Sequence, residues 1–344
     1  MPGRYVVVGG GAVGATVAAQ LHLAEIGVVL VARGANLAAL RAKGLRYLRP
    51  DGPRTLRLPV VAGPDEVTLR SDDVLVVAVK SQDTEAAVAQ WAWQPVTDGA
   101  GAETAAADTL PVVLMQNGLE NARTALRRFT RVVDTVVLSG ASHVRPGEVV
   151  SPGSPLAGGF YVGDAPTGAG PDSERVAADL RSAGFAVQVV PDIARWKAGK
   201  LLGNLYWNLD ALYRRSRLRN RLGDELVEEA TTVLQAAGLD PHAPTVPDAL
   251  DRASFETVDV PGARRGGSST WQSLARGRGA EGDYLYGEIA LLARLHGLRA
   301  PLNEAVQTRI ATVARQGVRP RSLPMSDIAE LLGYSGMAAP LAML

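Results

Sequence analysis

Cysteine is absent from the 344 residues. No disulfide framework and no thiolate chemistry is therefore available to this chain. Histidine is scarce, with four residues at His22, His143, His242 and His296. No two are close in sequence and no spacing suggests a zinc site, so no metal is expected. An excess of one charge is also lacking: Lys plus Arg number 36 and Asp plus Glu 35, a formal net charge of +1. That balance argues against a protein built to bind nucleic acid or an anionic membrane. It leaves room for a local basic pocket for one phosphate. No run approaches about 18 apolar residues free of charge, so no membrane span is expected. The opening MPGRYVVVGGG has none of the charged, apolar and cleavage regions of a signal peptide. A soluble protein of the cytoplasm is the expectation.

What remains is ordinary globular material, 47% hydrophobic and 21% charged. At roughly 150 residues per domain, the length suggests two domains.

The first chemistry appears at once. A short β-branched run at residues 5–8 meets Gly9-Gly10-Gly11-Ala12-Val13-Gly14, and a helical stretch follows over about 15–25. Residues 28–32 read as a second strand. A glycine pattern between strand and helix is the dinucleotide fingerprint in its required context. Gly9 permits the tight turn, Gly11 lets the backbone approach a pyrophosphate, and Gly14 lets the helix pack closely. The pyrophosphate would sit at the helix N-terminus. The alternative is a glycine-rich turn without a ligand. At the end of the second strand an NAD site usually places an acid against the ribose hydroxyls. Here the sequence is Leu30-Val31-Ala32-Arg33-Gly34. An arginine can pair with a 2′-phosphate through its planar fork, which favours NADP(H). A solvated loop residue is the plainer reading of Arg33.

Further strands are expected over 45–48 and 56–61, separated by an Asp51-Gly52 turn, and over 73–79, 110–115, 132–138, 158–162 and 186–190. Helices are expected over 35–43, 84–91, from about 119, and over 171–183, with 97–107 a surface loop. Lys80 and Asn117 follow two buried strands. Polar residues at the carboxyl ends of parallel strands are where open α/β sheets bind ligands. Lys80 could meet phosphate or nucleotide, and Asn117 the nicotinamide ribose or the substrate. Either could instead cap a turn.

After Pro191 strand-like runs nearly vanish. One long helix is expected from about 193 past 212, others over 224–237, 282–296 and 303–314, and short ones over 268–277 and 327–332. On the long helix Lys200, Asn204 and Asn208 recur at i, i+4 and i+8, which stacks them on one side. Such a stripe among leucines is expensive to bury unpaired, so it suits a polar pocket. A solvated surface stripe is the alternative. The fold class expected is α/β, with an N-terminal Rossmann-type dinucleotide-binding domain over residues 1–190. An all-helical C-terminal domain over 191–318 and an extension over 319–344 follow it.

With these motifs the chain resembles the ketopantoate reductase (2-dehydropantoate 2-reductase) family over about residues 4–315. The resemblance implies reduction of a 2-keto acid with NADPH at a site between a Rossmann domain and a helical domain. Gly9, Gly11 and Gly14 match the family's nucleotide loop, Arg33 its 2′-phosphate arginine, Lys80 a nucleotide-side lysine and Asn117 the asparagine near the nicotinamide. Lys200 matches the catalytic lysine of a KLxxN pattern, here Lys200-Leu201-Leu202-Gly203-Asn204. Asn204 and Asn208 match two substrate-side asparagines, Ser269 the carboxylate-binding serine, and Glu281 an acidic residue that orients the site or the lysine. An ammonium is ordinarily charged at neutral pH, so Lys200 could polarise the carbonyl oxygen and then donate the proton.

The chain departs from the family pattern at three places. Thr270-Trp271-Gln272-Ser273 stands where Met-x-x-Asp often follows the serines. Gly266 stands where an asparagine often precedes them. The tail beyond about Arg319 exceeds the usual length. The first two lie beside the expected carboxylate pocket, and they suggest another bulky 2-keto acid as an alternative substrate. A non-catalytic NADP(H)-binding sensor would keep Arg33 and the glycines without needing the Lys-Asn-Asn stripe. Apolar helical faces in the second domain could form a homodimer.

Overall fold

Strands β1 (Tyr5–Val8) and β2 (Val28–Val31) are built from valine, leucine and tyrosine and are buried along their whole lengths. A strand buried on both faces needs helices above and below. A computed structural model describes residues 3–97, 101, 103–143, 145–242, 254–263, 266–277 and 279–333 of the chain. Within it β1 and β2 join β3 (Val60–Val61), β4 (Val74–Val77), β5 (Val112–Leu114), β6 (Val132–Leu138), β7 (Gly159–Asp164) and β8 (Ala186–Val189) in one sheet. The order is β8-β7-β6-β5-β4-β1-β2-β3. Every pairing is parallel except β6 with β7. The run β3-β2-β1-β4-β5-β6 is the Rossmann order.

Alternation along the strands feeds two cores. Tyr5, Val7, Leu30, Val74 and Val76 face one side with α1 (Ala12–Leu23) and α5 (Pro171–Ser182). Val6, Val8, Leu75 and Val77 face the other with α3 (Thr84–Ala92) and Ala125 of α4 (Glu120–Leu126). Helix α2 (Gly34–Lys43) follows β2.

The chain divides into two compact units, residues 1–194 with 245–265, and residues 195–244 with 266–344. In the second, α6 (Ile193–Trp207) is followed by α7 (Arg217–Ala236), α8 (Ser269–Ala275), α9 (Gly282–Leu295), α10 (Pro301–Gln316) and α11 (Met325–Leu331). Polar clasps join these helices. Tyr286 Oη donates to the Leu205 carbonyl at 2.7 Å, and Asn303 Nδ2 donates to Glu229 Oε1 at 2.9 Å. No helix among the described residues is long and apolar enough to cross a membrane.

Several local expectations need correction. Residues 52–56 turn back at once and pair antiparallel with Leu45–Arg49, so the strand expected over 56–61 is only its last two residues. Residues 103–105 pair as a strand with 95–97, so the surface loop expected over 97–107 is in part sheet. Helix α7 begins seven residues before the expected start. Ser216 caps it by accepting the Arg219 N–H at 3.1 Å, and Leu218 and Leu222 extend its buried stripe back to that cap. The long helix does not run past 212 as one element. It is α-helical to Trp207 and then becomes a 3₁₀ turn over Asn208–Ala211. Strand Phe255–Thr257 pairs with Gly153–Pro155 inside the first unit, across a sequence gap that no local pattern bridges. Residues 334–344 of the C-terminal extension lie outside the described residues.

The described part of the segment after residue 318, residues 319–333, is tied down. Asp327 accepts Arg309 Nε and Nη2 at 2.8 Å and the Tyr213 hydroxyl. Burial pushes the Asp327 carboxyl up, but the Arg309 fork and the Tyr213 hydroxyl together outweigh it and hold the group below its usual range. A carboxyl depressed on folding stabilises above its unfolded pKa of about 4, and that contribution is lost as pH falls through the lower folded value. Asp327→Asn should therefore cost about 2 kcal/mol at neutral pH in urea unfolding. The gap from wild type should close in acid below about pH 4.

Candidate active site

In the first unit, the carboxyl ends of four adjacent parallel strands present the residues expected to meet a nucleotide. Reading along β5-β4-β1-β2, they lead into Asn117, Lys80, the Gly9–Gly14 loop and Arg33. Gly9 has φ +120°, and a Cβ there would lie 2.8 Å from the Ala78 carbonyl. A Cβ on Gly14 would lie 2.0 Å from the Gly9 carbonyl oxygen. Gly11, at the N-cap of α1, would meet no protein atom within 4 Å. The first two glycines serve the fold, and the third keeps open the space before α1. Gly10, Ala12 and Val13 complete the loop, and no side chain caps the first-turn N–H groups of α1. That bare helix end fits phosphate oxygens.

Arg33 is exposed at the N-cap of α2, and its side chain makes no hydrogen bond or ion pair with the described residues. It can therefore take an anion without first giving up a partner. The residues present fit a dinucleotide.

Other residues at this edge escape the sequence reading. Asn36 Nδ2 donates to the Gly10 carbonyl and Asn36 Oδ1 accepts the Gly147 N–H, both at 2.8 Å. Beneath Lys80 and Asn117, Ser81 Oγ donates to the Asn117 carbonyl at 3.1 Å and Asn121 Nδ2 to the same carbonyl at 2.8 Å. Thr84 Oγ1 donates to Asn121 Oδ1 at 2.8 Å and accepts Gln116 Nε2 at 3.0 Å. This buried net pins the loops after β4 and β5 to each other. Its members are distant in sequence, so only their position just after two buried strands could have signalled them. The Asn117 side-chain amide makes no hydrogen bond with the described residues.

In the second unit, Lys200 and Asn204 lie on α6, and Asn208 opens the 3₁₀ turn that follows. Lys200 and Asn204 are half-buried and Asn208 is 2% exposed. Asn204 Nδ2 and Asn208 Nδ2 are both buried without an acceptor among the described residues. Each such donor costs about 1–3 kcal/mol unless something accepts from it. Leu201 and Leu205, fully buried alongside, offer nothing polar in compensation.

The adjacent serines separate by role. Ser268 Oγ is occupied: it accepts the Trp271 N–H at 3.2 Å as the N-cap of α8 and donates to Asp210 Oδ1 at 2.5 Å. The Ser269 hydroxyl makes no hydrogen bond with the described residues. Glu281 is buried at the N-terminal end of α9, where the helix dipole favours a carboxylate. Among the described residues no three acidic or histidine side chains group to hold a metal ion.

Comparison with known proteins agrees across the chain. The family model described as "Ketopantoate reductase PanE/ApbA" matches residues 5–166, and its C-terminal counterpart matches residues 192–314. A 2-dehydropantoate 2-reductase of Archaeoglobus fulgidus is 27% identical over 313 residues, covering 88% of this chain and 95% of that protein. The crystal structure of a PanE/ApbA family ketopantoate reductase from Ralstonia eutropha JMP134 superposes with a TM-score of 0.71 at 25% identity, covering 91% and 99% of the two chains. D-mandelate dehydrogenase, solved with NADH and anilino(oxo)acetate, shares the fold with a TM-score of 0.73 at 16% identity, again over 91% and 99%.

The glycines give a test that separates fold from binding. Gly11→Ala should melt within about 2 °C of wild type, since a substitution that meets no atom changes stability little. It should weaken binding of the nicotinamide dinucleotide at least about tenfold in calorimetric titration, because its methyl fills the space a pyrophosphate needs. Gly14→Ala should instead lower the melting temperature by several degrees, as its methyl strikes the Gly9 carbonyl.

Proposed function

The chain belongs to the ketopantoate reductase PanE/ApbA family, and from that premise we propose that it reduces ketopantoate to pantoate with NADPH, Lys200 being the general acid. Family membership carries the coarser statement, an oxidoreductase acting on a 2-keto acid with a nicotinamide dinucleotide. The observation that carries the finer one is the pair of buried amide nitrogens of Asn204 and Asn208, one and two turns beyond Lys200 and without acceptors among the described residues. Donors left in that condition want a ligand rich in oxygen, and a hydroxylated keto acid is one.

The Gly9–Gly14 loop and the α1 N-terminus would hold the pyrophosphate, with Arg33 on the 2′-phosphate, Lys80 beside the nucleotide and Asn117 toward the nicotinamide end. Bound NADPH supplies a hydride, and that chemistry belongs to the cofactor. Lys200 Nζ donates a hydrogen bond to the keto oxygen, stabilises the negative charge that develops there, and gives up its proton to the alkoxide. Asn204 and Asn208 donate to substrate oxygens, and Ser269 Oγ donates to the carboxylate. Glu281 orients Lys200.

A second reading, a bulkier 2-keto acid, is favoured by one feature. A Cβ on Gly266 would lie 3.1 Å from the Trp271 ring, and one on Gly267 only 2.5 Å from its Cγ. The Trp271 indole thus occupies the space that a side chain at Gly266 or Gly267 would take.

Oxidation of NADPH should be followed with ketopantoate and a panel of other 2-keto acids. Turnover of ketopantoate that Lys200→Ala lowers about 10²- to 10⁴-fold, with NADPH affinity unchanged, is the expected result. Turnover of another acid alone would replace the substrate and leave the lysine's role in place. Arg33→Ala should cut the preference for NADPH over NADH at least about tenfold.

A further inference from the structure

Asp210 lies two residues beyond Asn208 in the 3₁₀ turn, and the reduction described above does not use it. Its carboxylate grips Ser268 twice, accepting from the hydroxyl at 2.5 Å and from the backbone N–H at 3.0 Å. Ser268 is the residue before Ser269, and it lies 58 positions from Asp210 in sequence. One carboxylate thus joins the turn that bears Asn208 to the turn that bears Ser269. The join is tight: a Cβ on Gly267 would lie 2.5 Å from Asp210 Oδ2.

The segment beyond residue 318 closes on the same turn. The Arg321 N–H donates to the Ala211 carbonyl at 2.9 Å, and the Leu323 N–H to the Leu212 carbonyl at 3.1 Å. Arg321 has φ +64°, uncommon for a residue with a side chain. From there its Nε donates to the Asp210 carbonyl at 3.3 Å, its Nη2 lies 3.6 Å from Asp210 Oδ2, and its guanidinium sits 5.8 Å from the centre of the Trp271 ring. Asp210 is 17% exposed and Arg321 47%. The arginine therefore neutralises the carboxylate from the solvent side, and such a half-exposed pair contributes modestly.

We propose that Asp210 is a positioning residue that locks the Asn208 turn to Ser269 and so sets two keto-acid contacts in one pose, with Arg321 of the C-terminal segment reinforcing the lock. The inference rests on the reading that Asn208 and Ser269 bind the keto acid. Reacting groups must be held to a fraction of an ångström, and charged hydrogen bonds from packed elements do this better than a mobile loop. It also gives a common purpose to Gly266, Trp271 and the long tail. The glycines admit the indole, the indole carries the guanidinium, and the guanidinium steadies Asp210.

The test is calorimetric titration of ketopantoate and a 2-keto acid panel into the full chain saturated with NADP⁺, with NADPH affinity and melting temperature measured alongside. Asp210→Ala should weaken keto-acid binding about 10- to 100-fold, and Asp210→Asn less, since its amide oxygen still accepts from Ser268. Arg321→Met should cost about 3- to 10-fold and Arg321→Lys should recover most of it. NADPH affinity should stay within about twofold of wild type, because every partner of Asp210 lies in the second unit. Asp210→Ala combined with Ser269→Ala should lose less affinity than the product of the two single losses, the non-additivity expected when one residue acts in part through the other. Full additivity, or unchanged keto-acid affinity with a lowered melting temperature, would overturn the proposal and make Asp210 a structural cap. If Asp210→Ala does not fold, unchanged affinity in both Asp210→Asn and Arg321→Met overturns it equally. Failure of wild type to bind any 2-keto acid removes the underlying reading, and this proposal with it. Binding that the variants leave intact removes this proposal alone.

Discussion

Helix α1 can touch the loop that precedes it only because Gly14 has no side chain. A methyl there would lie 2.0 Å from the Gly9 carbonyl oxygen, well inside contact distance. This close approach turns the chain sharply from β1 into α1 and leaves the helix N-terminus bare at the sheet's carboxyl edge. Gly9 completes it from the other side, pressed on the Ala78–Val79 backbone at φ +120°. The sheet order then does the rest. Because β4 and β2 flank β1, and β5 flanks β4, the loops bearing Lys80, Arg33 and Asn117 must share that edge.

The second unit works through a different constraint. Its helices bury polar groups that most cores exclude, and it satisfies them unevenly. The Tyr286 hydroxyl and the Asn303 amide nitrogen find partners on neighbouring helices, and burial pushes the Tyr286 phenol well above its ordinary pKa, keeping it neutral as a donor. Asn204 and Asn208 keep buried donors without acceptors. Two amide donors left open one and two turns beyond Lys200 place an uncompensated cost where a ligand can relieve it.

Local patterns were legible wherever burial was uniform. The runs in β1, β2, β4 and β5 are apolar because both faces are covered, and they could be read directly. Residues 52–56 could not: an exposed edge strand with Pro53, Arg54 and Thr55 needs no apolar pattern. The early start of α7 was signalled, by Ser216 as cap and by Leu218, Leu222 and Leu226 at helical spacing, but the arginines between them masked it. The change from α to 3₁₀ at Asn208 has no local signature, because contacts from the chain after residue 318 surround the turn.

Short-range spacing marks the nucleotide loop, the family resemblance and the candidate residues: glycines two and three apart, polar residues four apart, an arginine after a strand. Folding alone distinguishes which of two adjacent serines is free to meet a ligand. Only the tertiary structure shows that Asn36 holds Gly10, that residues 255–257 return to the first unit, and that Asp210 ties one turn to another. The reason is physical. A hydrogen bond between residues 58 apart in the chain leaves no mark on either neighbourhood until folding brings them within 3 Å, and carboxylates and amides look alike in sequence whether they cap, pair or wait for a ligand.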